Sequence, residues 1–249
     1  MKHGICSLSI VPLRAEAADT SEMVTQLLYG DTLKVLERRK TWSRVRLYFD
    51  RYEGWIDNKQ FDFISEEAFK KINSEVPVLS SDLVDFITTS EEQLLSIPMG
   101  SSLNALELLN HTFEGKSITG KLNKVHLIDT ALIYLNTPYL WGGKSPFGID
   151  CSGLTQMVYK LNGHGLLRDA SQQAEQGEAL SFIEESEPGD LAFFDNEDGV
   201  ISHVGVIMEN NYIIHAHGKV RIDRLDQTGI FNYEQRTHTH KLRVIKRIV

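Results

Sequence analysis

The stretch Gly148-Ile149-Asp150-Cys151-Ser152-Gly153 decides the fold, because it opens directly onto the segment Leu154-Thr-Gln-Met-Val-Tyr159. These residues predict a helix from about Cys151 to Leu161, with Cys151 at its N-terminus. Free backbone N–H groups and the positive end of the helix dipole stabilise a thiolate there, and they can supply part of an oxyanion hole. An ordinary thiol, with a pKa of about 8.5, is mostly protonated at neutral pH. We therefore expect the helix end and a nearby imidazolium to lower the pKa of Cys151, the predicted nucleophile.

A cysteine nucleophile needs a base, and the base needs a partner that orients it. His203 begins the predicted strand His203-Val-Gly-Val-Ile-Met, and His215 ends the predicted strand Tyr212-Ile-Ile-His215. Asn210-Asn211 forms a turn nearly midway between the two histidines, so the strands are expected to pair and bring both imidazoles close together. One imidazole can then face the thiol while the other fixes its tautomer. We assign His203 as the base and His215 as the orienter.

The rest of the chain has two different patterns. Residues 125–135 have apolar positions at helical spacing, and strand signals follow Pro188-Gly189-Asp190, which together predict an α+β domain over residues 123–249. Short, regularly spaced strands over residues 1–64 predict a small β-barrel or sandwich. Residues 65–122 predict a second small β domain. It begins with a short helix over Glu66–Ile72, and its four strands are predicted over Val76–Leu79, Leu83–Ile87, Glu92–Ile97 and Leu103–Leu108.

Composition excludes several classes of function. The formal net charge of −8 gives no electrostatic basis for binding nucleic acid or an anionic membrane. The two cysteines do not form a disulfide scaffold, and Cys6 is predicted to be a core residue on an alternating strand. No CxxC or HxxxH spacing occurs, so no metal and no cofactor are expected. The N-terminal apolar stretch alternates like a strand and not like a signal peptide, which predicts a cytoplasmic protein.

Five other histidines fit loops or solvated faces, and no function is predicted for them. These are His111, His164, His217, His238 and His240.

By itself, a cysteine at a helix start is more often a small buried residue than a nucleophile. Here, however, residues 125–249 resemble the NlpC-type family of papain-like cell-wall cysteine peptidases. The resemblance rests on motifs in the family's order and at about its spacing: Tyr139-Leu-Trp141-Gly142-Gly143, Asp150-Cys151-Ser152-Gly153, Arg168-Asp169-Ala170 with Gln173, Pro188-Gly189-Asp190-Leu191, His203-Val-Gly-Val and Ile214-His215. One such motif is weak evidence, whereas the ordered set is specific.

The resemblance implies a catalytic Cys-His-His set on an α+β, papain-like core, at Cys151, His203 and His215. It also implies oxyanion support and pocket walls from Tyr139, Asp150 and Ser152, and a pair beside the bound peptide at Arg168 and Asp169. Ala170 stands where relatives often carry serine, so one pocket hydrogen bond is expected to be missing.

The first segment resembles bacterial SH3-like domains, with Tyr29-Gly30-Asp31, Trp42 and Gly54-Trp55 in characteristic places. The whole chain resembles the intracellular branch of the family, which comprises γ-D-glutamyl-L-diamino acid endopeptidases, also called dipeptidyl-peptidase VI. The resemblance implies cleavage of muropeptides with a free N-terminal L-alanine, release of L-Ala-D-Glu, and a role in murein peptide recycling or degradation. It also implies that the first domain binds the substrate amine through Tyr52 and an acidic partner, for which Glu22 is the candidate. A monomer is expected.

Three alternatives remain open from the sequence. An amidase or acyltransferase would keep the triad but act on another bond. A secreted hydrolase would act on intact peptidoglycan, and a non-catalytic wall-binding protein would owe its function to the β domains.

Overall fold

Short strands separated by turns fill the first half of the chain. In the computed structural model, which describes residues 2–249, the chain divides into two compact units, Met1–Gly120 and Lys121–Val249. The first unit begins with seven strands: β1 (Lys2–Ile5), β2 (Ile10–Arg14), β3 (Met23–Leu28), β4 (Thr32–Arg38), β5 (Trp42–Leu47), β6 (Glu53–Asp57) and β7 (Asp62–Ile64).

These seven strands form one antiparallel sheet in the order β3-β2-β6-β5-β4-β1-β7. Alternating residues of β2, such as Val11 and Leu13, are buried together with Leu33, Val45 and Ile56 of the neighbouring strands. Period-two burial of this kind gives each strand one core face, as expected for a small SH3-like β domain.

The following segment is also mainly β, with two short helices. Its elements are α1 (Glu66–Ser74), β8 (Val78–Ser80), β9 (Val84–Thr88), β10 (Leu94–Pro98), α2 (Leu106–Leu109), β11 (Thr112–Phe113) and β12 (Ser117–Thr119). Tyr29, from the first segment, is buried against Ile87, Ile97 and Leu103. The segments 1–64 and 65–122 thus share a core within the first unit, and the boundary between residues 64 and 65 stays a prediction.

Two local predictions in the first unit were wrong. The stretch Leu103–Leu108 was predicted as a strand, but Leu106–Leu109 forms α2, which ends where Asn110 adopts a left-handed conformation with φ 54°. Cys6 is buried, but it follows β1 in a loop and does not lie on a strand. Its N–H donates to the carbonyl of Asp31 and its carbonyl accepts from the Gly30 N–H, so Cys6 joins the end of β1 to the turn that precedes β4.

The second unit has the predicted α+β layout. Its helices are α3 (His126–Ile133), α4 (Cys151–Leu161) and α5 (Ala170–Gln173). Its strands are β13 (Lys144–Ser145), β14 (Gly148–Ile149), β15 (Glu178–Leu180), β16 (Leu191–Asp195), β17 (Ile201–Met208), β18 (Tyr212–His217), β19 (Lys219–Leu225), β20 (Gly229–Asn232) and β21 (Thr237–Arg247). Within residues 2–249, no helix has the length and apolar character needed to cross a bilayer.

The main sheet of the second unit closes on itself. Its order is β15-β21-β16-β17-β18-β19-β20, and β20 also pairs with β21, which joins six strands into a small barrel. α4 packs on β17 and β18, and all eleven of its residues are buried. The closure brings side chains of β17, β18, β19 and β21 into one cluster on the part of the sheet where α4 packs.

Candidate active site

Cys151 occupies the first position of α4 because Asp150 caps that helix. The Asp150 carboxylate accepts a hydrogen bond of 2.7 Å from the Gly153 N–H, which satisfies one of the unpaired donors of the first turn. The Cys151 side chain is only 6% exposed. Its sulfur lies against the backbone N–H groups of Ser152 and Val204, and Val204 directly follows His203 on β17. The nucleophile and the base predicted from the sequence are therefore neighbours.

Burial dominates the electrostatics of this thiol. Desolvation raises the pKa of Cys151 to about 12, with a further contribution from the nearby Asp150 carboxylate, while the hydrogen bonds of Val204 and Ser152 act in the opposite direction. The expectation of a lowered thiol pKa was therefore wrong, because the helix end lies in a water-poor environment. Burial therefore favours the neutral thiol over the thiolate at this position.

A chain of hydrogen bonds leads away from the thiol. His203 Nε2 lies 2.8 Å from His215 Nδ1, and His215 Nε2 lies 3.0 Å from Oδ2 of Asp223 on β19. Arg221 holds that carboxylate with two hydrogen bonds, of 2.7 Å from Nε and 2.9 Å from Nη2. The geometry brings together the base and orienter predicted from the sequence and adds an Asp–Arg pair behind them.

This chain fixes the tautomer of each imidazole. Desolvation lowers the pKa of His203 well below 6.5 and also lowers that of His215, while hydrogen bonding to His215 and Arg221 helps lower the pKa of Asp223. A carboxylate can only accept, so His215 carries its proton on Nε2 and accepts at Nδ1. His203 must then carry its proton on Nε2, which leaves His203 Nδ1 as the basic nitrogen.

Gly205 makes room for the imidazole pair. It lies opposite His215 in the β17–β18 ladder. A Cβ at this position would lie 2.9 Å from the His215 Cβ and 2.8 Å from two carbons of Ile213. A residue with a side chain at position 205 would therefore clash with its neighbours, which explains the glycine in His203-Val-Gly205.

Two histidines with no predicted function lie in the same cluster. The assignment of His240 to a loop or solvated face was wrong, because it is half-buried, whereas His217 is exposed as predicted. His240, on β21, stacks on the His203 ring with a centroid separation of 4.1 Å and an angle of 26°. His217 lies at the exposed rim, 4.8 Å from the His240 ring. His217 follows His215 by two residues on β18, whereas His240 has no local spacing to these residues and joins the cluster through barrel closure.

A buried ion pair supports the first turn of α4. The Arg168 guanidinium is 1% exposed and donates to both carboxylate oxygens of Asp150, at 3.0 and 2.7 Å, and to Ser152 Oγ at 2.8 Å. Asp150 also accepts from the Gly142 N–H at 2.8 Å. Arg168 thus holds Asp150 and Ser152 in place from inside the protein, and its predicted contact with substrate stays a prediction.

The other two predicted pocket residues are Tyr139 and Asp169. Tyr139 is half-buried, and desolvation, together with the nearby Cys151 and Asp150, raises its pKa to about 12. Its hydroxyl is therefore a neutral donor at physiological pH. Asp169 caps α5 in a reciprocal arrangement with Gln172. Its assigned role beside the substrate stays a prediction.

The two predicted amine-binding residues lie in the first unit. Tyr52 is half-buried and packs against the first core cluster, and its N–H donates to Asp50 at 3.0 Å. Glu22 is exposed, and its carbonyl accepts from the Ala15 N–H at 2.9 Å. Their role toward a substrate amine stays a prediction.

Comparison with known proteins agrees with this site. Residues 136–240 match the NlpC/P60 family, and residues 13–61 match the bacterial dipeptidyl-peptidase Sh3 domain. The NlpC/P60 match contains Cys151, His203, His215 and Asp223.

Relatives extend the similarity along most of the chain. The γ-D-glutamyl-L-lysine dipeptidyl-peptidase of Bacillus subtilis is 29% identical over 217 residues, covering 77% of this chain and 71% of that protein. Dipeptidyl-peptidase 6 of Lysinibacillus sphaericus is 28% identical over 256 residues, covering 86% and 89%. A crystal structure of an NlpC/P60 family protein from Bacillus cereus covers 99% of both chains with a TM-score of 0.78 at 21% identity, which supports the fold. Residues 136–240 are therefore an NlpC/P60 cysteine peptidase domain, and a bacterial SH3 domain at residues 13–61 precedes it.

Proposed function

We propose that this peptidase hydrolyses the bond between γ-D-glutamate and the diamino acid in muropeptides with a free N-terminal L-alanine. The products would be L-Ala-D-Glu and the diamino acid portion, as expected for murein peptide recycling or degradation. The observation that carries the proposal is the buried thiol of Cys151 beside the hydrogen-bonded chain His203–His215–Asp223. The name of the Bacillus subtilis relative supports this choice of bond, and the names of both relatives support release of a dipeptide.

The tautomers assign the proton transfers of the first half-reaction. His203 Nδ1 takes the proton of the Cys151 thiol while the sulfur attacks the γ-carbonyl carbon of D-glutamate. The N–H of Cys151, at the first position of α4, is placed to stabilise the oxyanion. The His203 imidazolium is stabilised through His215 by the Asp223 carboxylate, and it then protonates the leaving amine of the diamino acid. The carbon–nitrogen bond breaks, and a thioester to Cys151 remains.

The second half-reaction reverses these roles. Neutral His203 takes a proton from a water molecule, whose oxygen attacks the thioester carbon. The carbon–sulfur bond breaks, the sulfur regains the proton from His203, and L-Ala-D-Glu leaves. Each proton that His203 accepts is returned, so the site ends in its resting state.

Mass spectrometry of the products from L-Ala-γ-D-Glu-meso-diaminopimelate tests this function. We expect L-Ala-D-Glu from the free peptide, no product from the same peptide with an acetylated N-terminus, and no product with Cys151→Ala. The L-lysine analogue would show which diamino acid is preferred. Cleavage of the acetylated peptide would remove the requirement for a free amine, and cleavage at another bond would contradict the assigned activity. The proposal also includes a cytoplasmic location, which immunodetection in fractionated cells would test.

A further inference from the structure

The imidazole cluster offers more nitrogen donors than the peptidase reaction uses. Among residues 2–249, His203, His215 and His240 form a group in which one ring nitrogen from each lies within 4.8 Å of the other two. The reaction described above assigns roles to the first two and none to His240. Three histidines are a ligand set that zinc prefers.

We propose that His203, His215 and His240 form an inhibitory site for a divalent transition metal, with Zn²⁺ as the ion that fits best. The metal would bind His203 Nε2, His215 Nδ1 and His240 Nε2. The inference rests on the geometry of the histidines and not on which peptide bond is cut.

His215 is already prepared as a ligand. Its Nε2 donates to the Asp223 carboxylate at 3.0 Å, which directs the lone pair of Nδ1 toward the cluster. Arg221 fixes that carboxylate with two further hydrogen bonds. Metal-binding histidines typically have such a carboxylate on their other nitrogen, which sets the ring orientation and raises basicity.

The other two ligands need modest movement. Nitrogens bound to tetrahedral zinc at 2.0–2.1 Å lie about 3.3 Å apart. The His203 and His215 nitrogens are 2.8 Å apart, so this pair would open by about half an ångström. His240 would have to turn, because its ring now stacks on His203 at 26°. It is half-buried, and its Nδ1 contacts the adjacent Thr239 hydroxyl at 2.8 Å, which leaves Nε2 for the metal.

Inhibition follows from the tautomer of His203. In the resting site the His203 proton lies on Nε2 and bridges to His215. A metal on Nε2 forces that proton onto Nδ1, which is the nitrogen that must accept the proton of Cys151. The imidazole of His203 keeps its proton in this shift, but Nδ1 can no longer accept the proton of Cys151. The metal also replaces the hydrogen bond between His203 and His215.

Direct metal binding tests the site without relying on catalysis. Isothermal titration of the purified full chain carrying Cys151→Ala with ZnCl₂ should give one site per chain. Adding His240→Ala should weaken that site at least tenfold, and adding Asp223→Ala should weaken it about 10- to 100-fold. His238→Ala is the matched control, because His238 is a histidine of the same strand, paired with Asp226 at 2.8 Å outside the cluster. It should leave the affinity unchanged.

Activity provides a second readout. ZnCl₂ should inhibit the Cys151-containing protein reversibly, and EDTA should restore the rate. Relative to its own metal-free rate, His240→Ala should need at least tenfold more zinc for half-inhibition. Loss of zinc binding with Cys151→Ala alone would overturn the three-histidine site in favour of a thiolate site. Unchanged affinity with His240→Ala, or loss with His238→Ala, would overturn it as well.

Discussion

Asp223 was not predicted from the sequence, and its replacement gives the sharpest test of the hydrogen-bonded chain. In Asp223→Ala, the buried His215 Nε2–H loses its acceptor at 3.0 Å. Hydrogen bonds to a charged group contribute about 1.5–3 kcal/mol. If this hydrogen bond stabilises the active tautomer of His203 and its imidazolium by that free energy, its loss in Asp223→Ala should lower kcat/KM about 10- to 100-fold.

The assay is the initial rate of release of the diamino acid amine, measured alongside unfolding in urea. Asp223→Asn should lose less activity than Asp223→Ala, because its amide oxygen can still accept from His215, although its NH₂ group cannot accept the hydrogen bond that Arg221 Nη2 donates to Asp223. Asp226→Ala is the matched control: it removes a carboxylate that also binds a histidine, His238 at 2.8 Å, but on the exposed surface. A folded Asp223→Ala variant whose kcat/KM stays within about twofold of wild type would refute the proposed part of Asp223 in the reaction.

Three further predictions concern the same site. Gly205→Ala should reduce kcat more than tenfold, because its Cβ would lie 2.9 Å from the His215 Cβ; a variant of normal activity would contradict the steric argument. Iodoacetamide should alkylate Cys151 with a rate that still rises above pH 9, since burial raises the pKa of this thiol to about 12; a rate that is already constant at pH 7 would show a preformed thiolate. The pKa of His240 is lowered to about 4 in the folded state, so the unfolded chain binds a proton at this residue first as the pH falls. We therefore expect His240 to leave the free energy of unfolding unchanged above about pH 6.5 and to reduce it at lower pH. The difference in free energy of unfolding between His240→Phe and wild type should therefore shift by about 1 kcal/mol in favour of His240→Phe when the pH is lowered from 7.5 to 5.5. Urea titrations of both proteins at the two pH values would measure this shift.

The parts of the site that could be predicted from the sequence are those encoded by local pattern. Cys151 at the start of a helix follows from one short stretch, and α4 spans Cys151–Leu161 as predicted. His203 and His215 lie on paired strands joined by a turn at Asn210-Asn211, so chain proximity alone indicates their approach. Predictions of this kind need only the geometry of one helix or one hairpin.

The remaining features depend on closure of the barrel and on burial. Asp223 lies on the strand after His215, at a position that no motif marks, and His240 reaches His203 only because β21 pairs with both β16 and β20. The direction of the Cys151 pKa shift was mispredicted for a related reason. A helix N-terminus favours the thiolate, but the degree of desolvation, which decides the direction here, depends on packing from distant strands.

A neutral resting pair changes what the hydrogen-bonded chain has to do. If the thiolate and imidazolium were already formed, Asp223 would mainly stabilise a standing charge. Because burial disfavours both charged forms, the positive charge on His203 develops only as the sulfur attacks, and it is dispersed toward Asp223 through His215. The alignment of hydrogen-bond acceptors that disperses this charge also directs ring nitrogens of the histidines toward one another. A metal ion can bind to nitrogens in that geometry. Catalytic competence and the proposed sensitivity to zinc are therefore two consequences of one arrangement of four strands, β17, β18, β19 and β21. His240→Ala can separate them, because the catalytic steps make no use of its nitrogen.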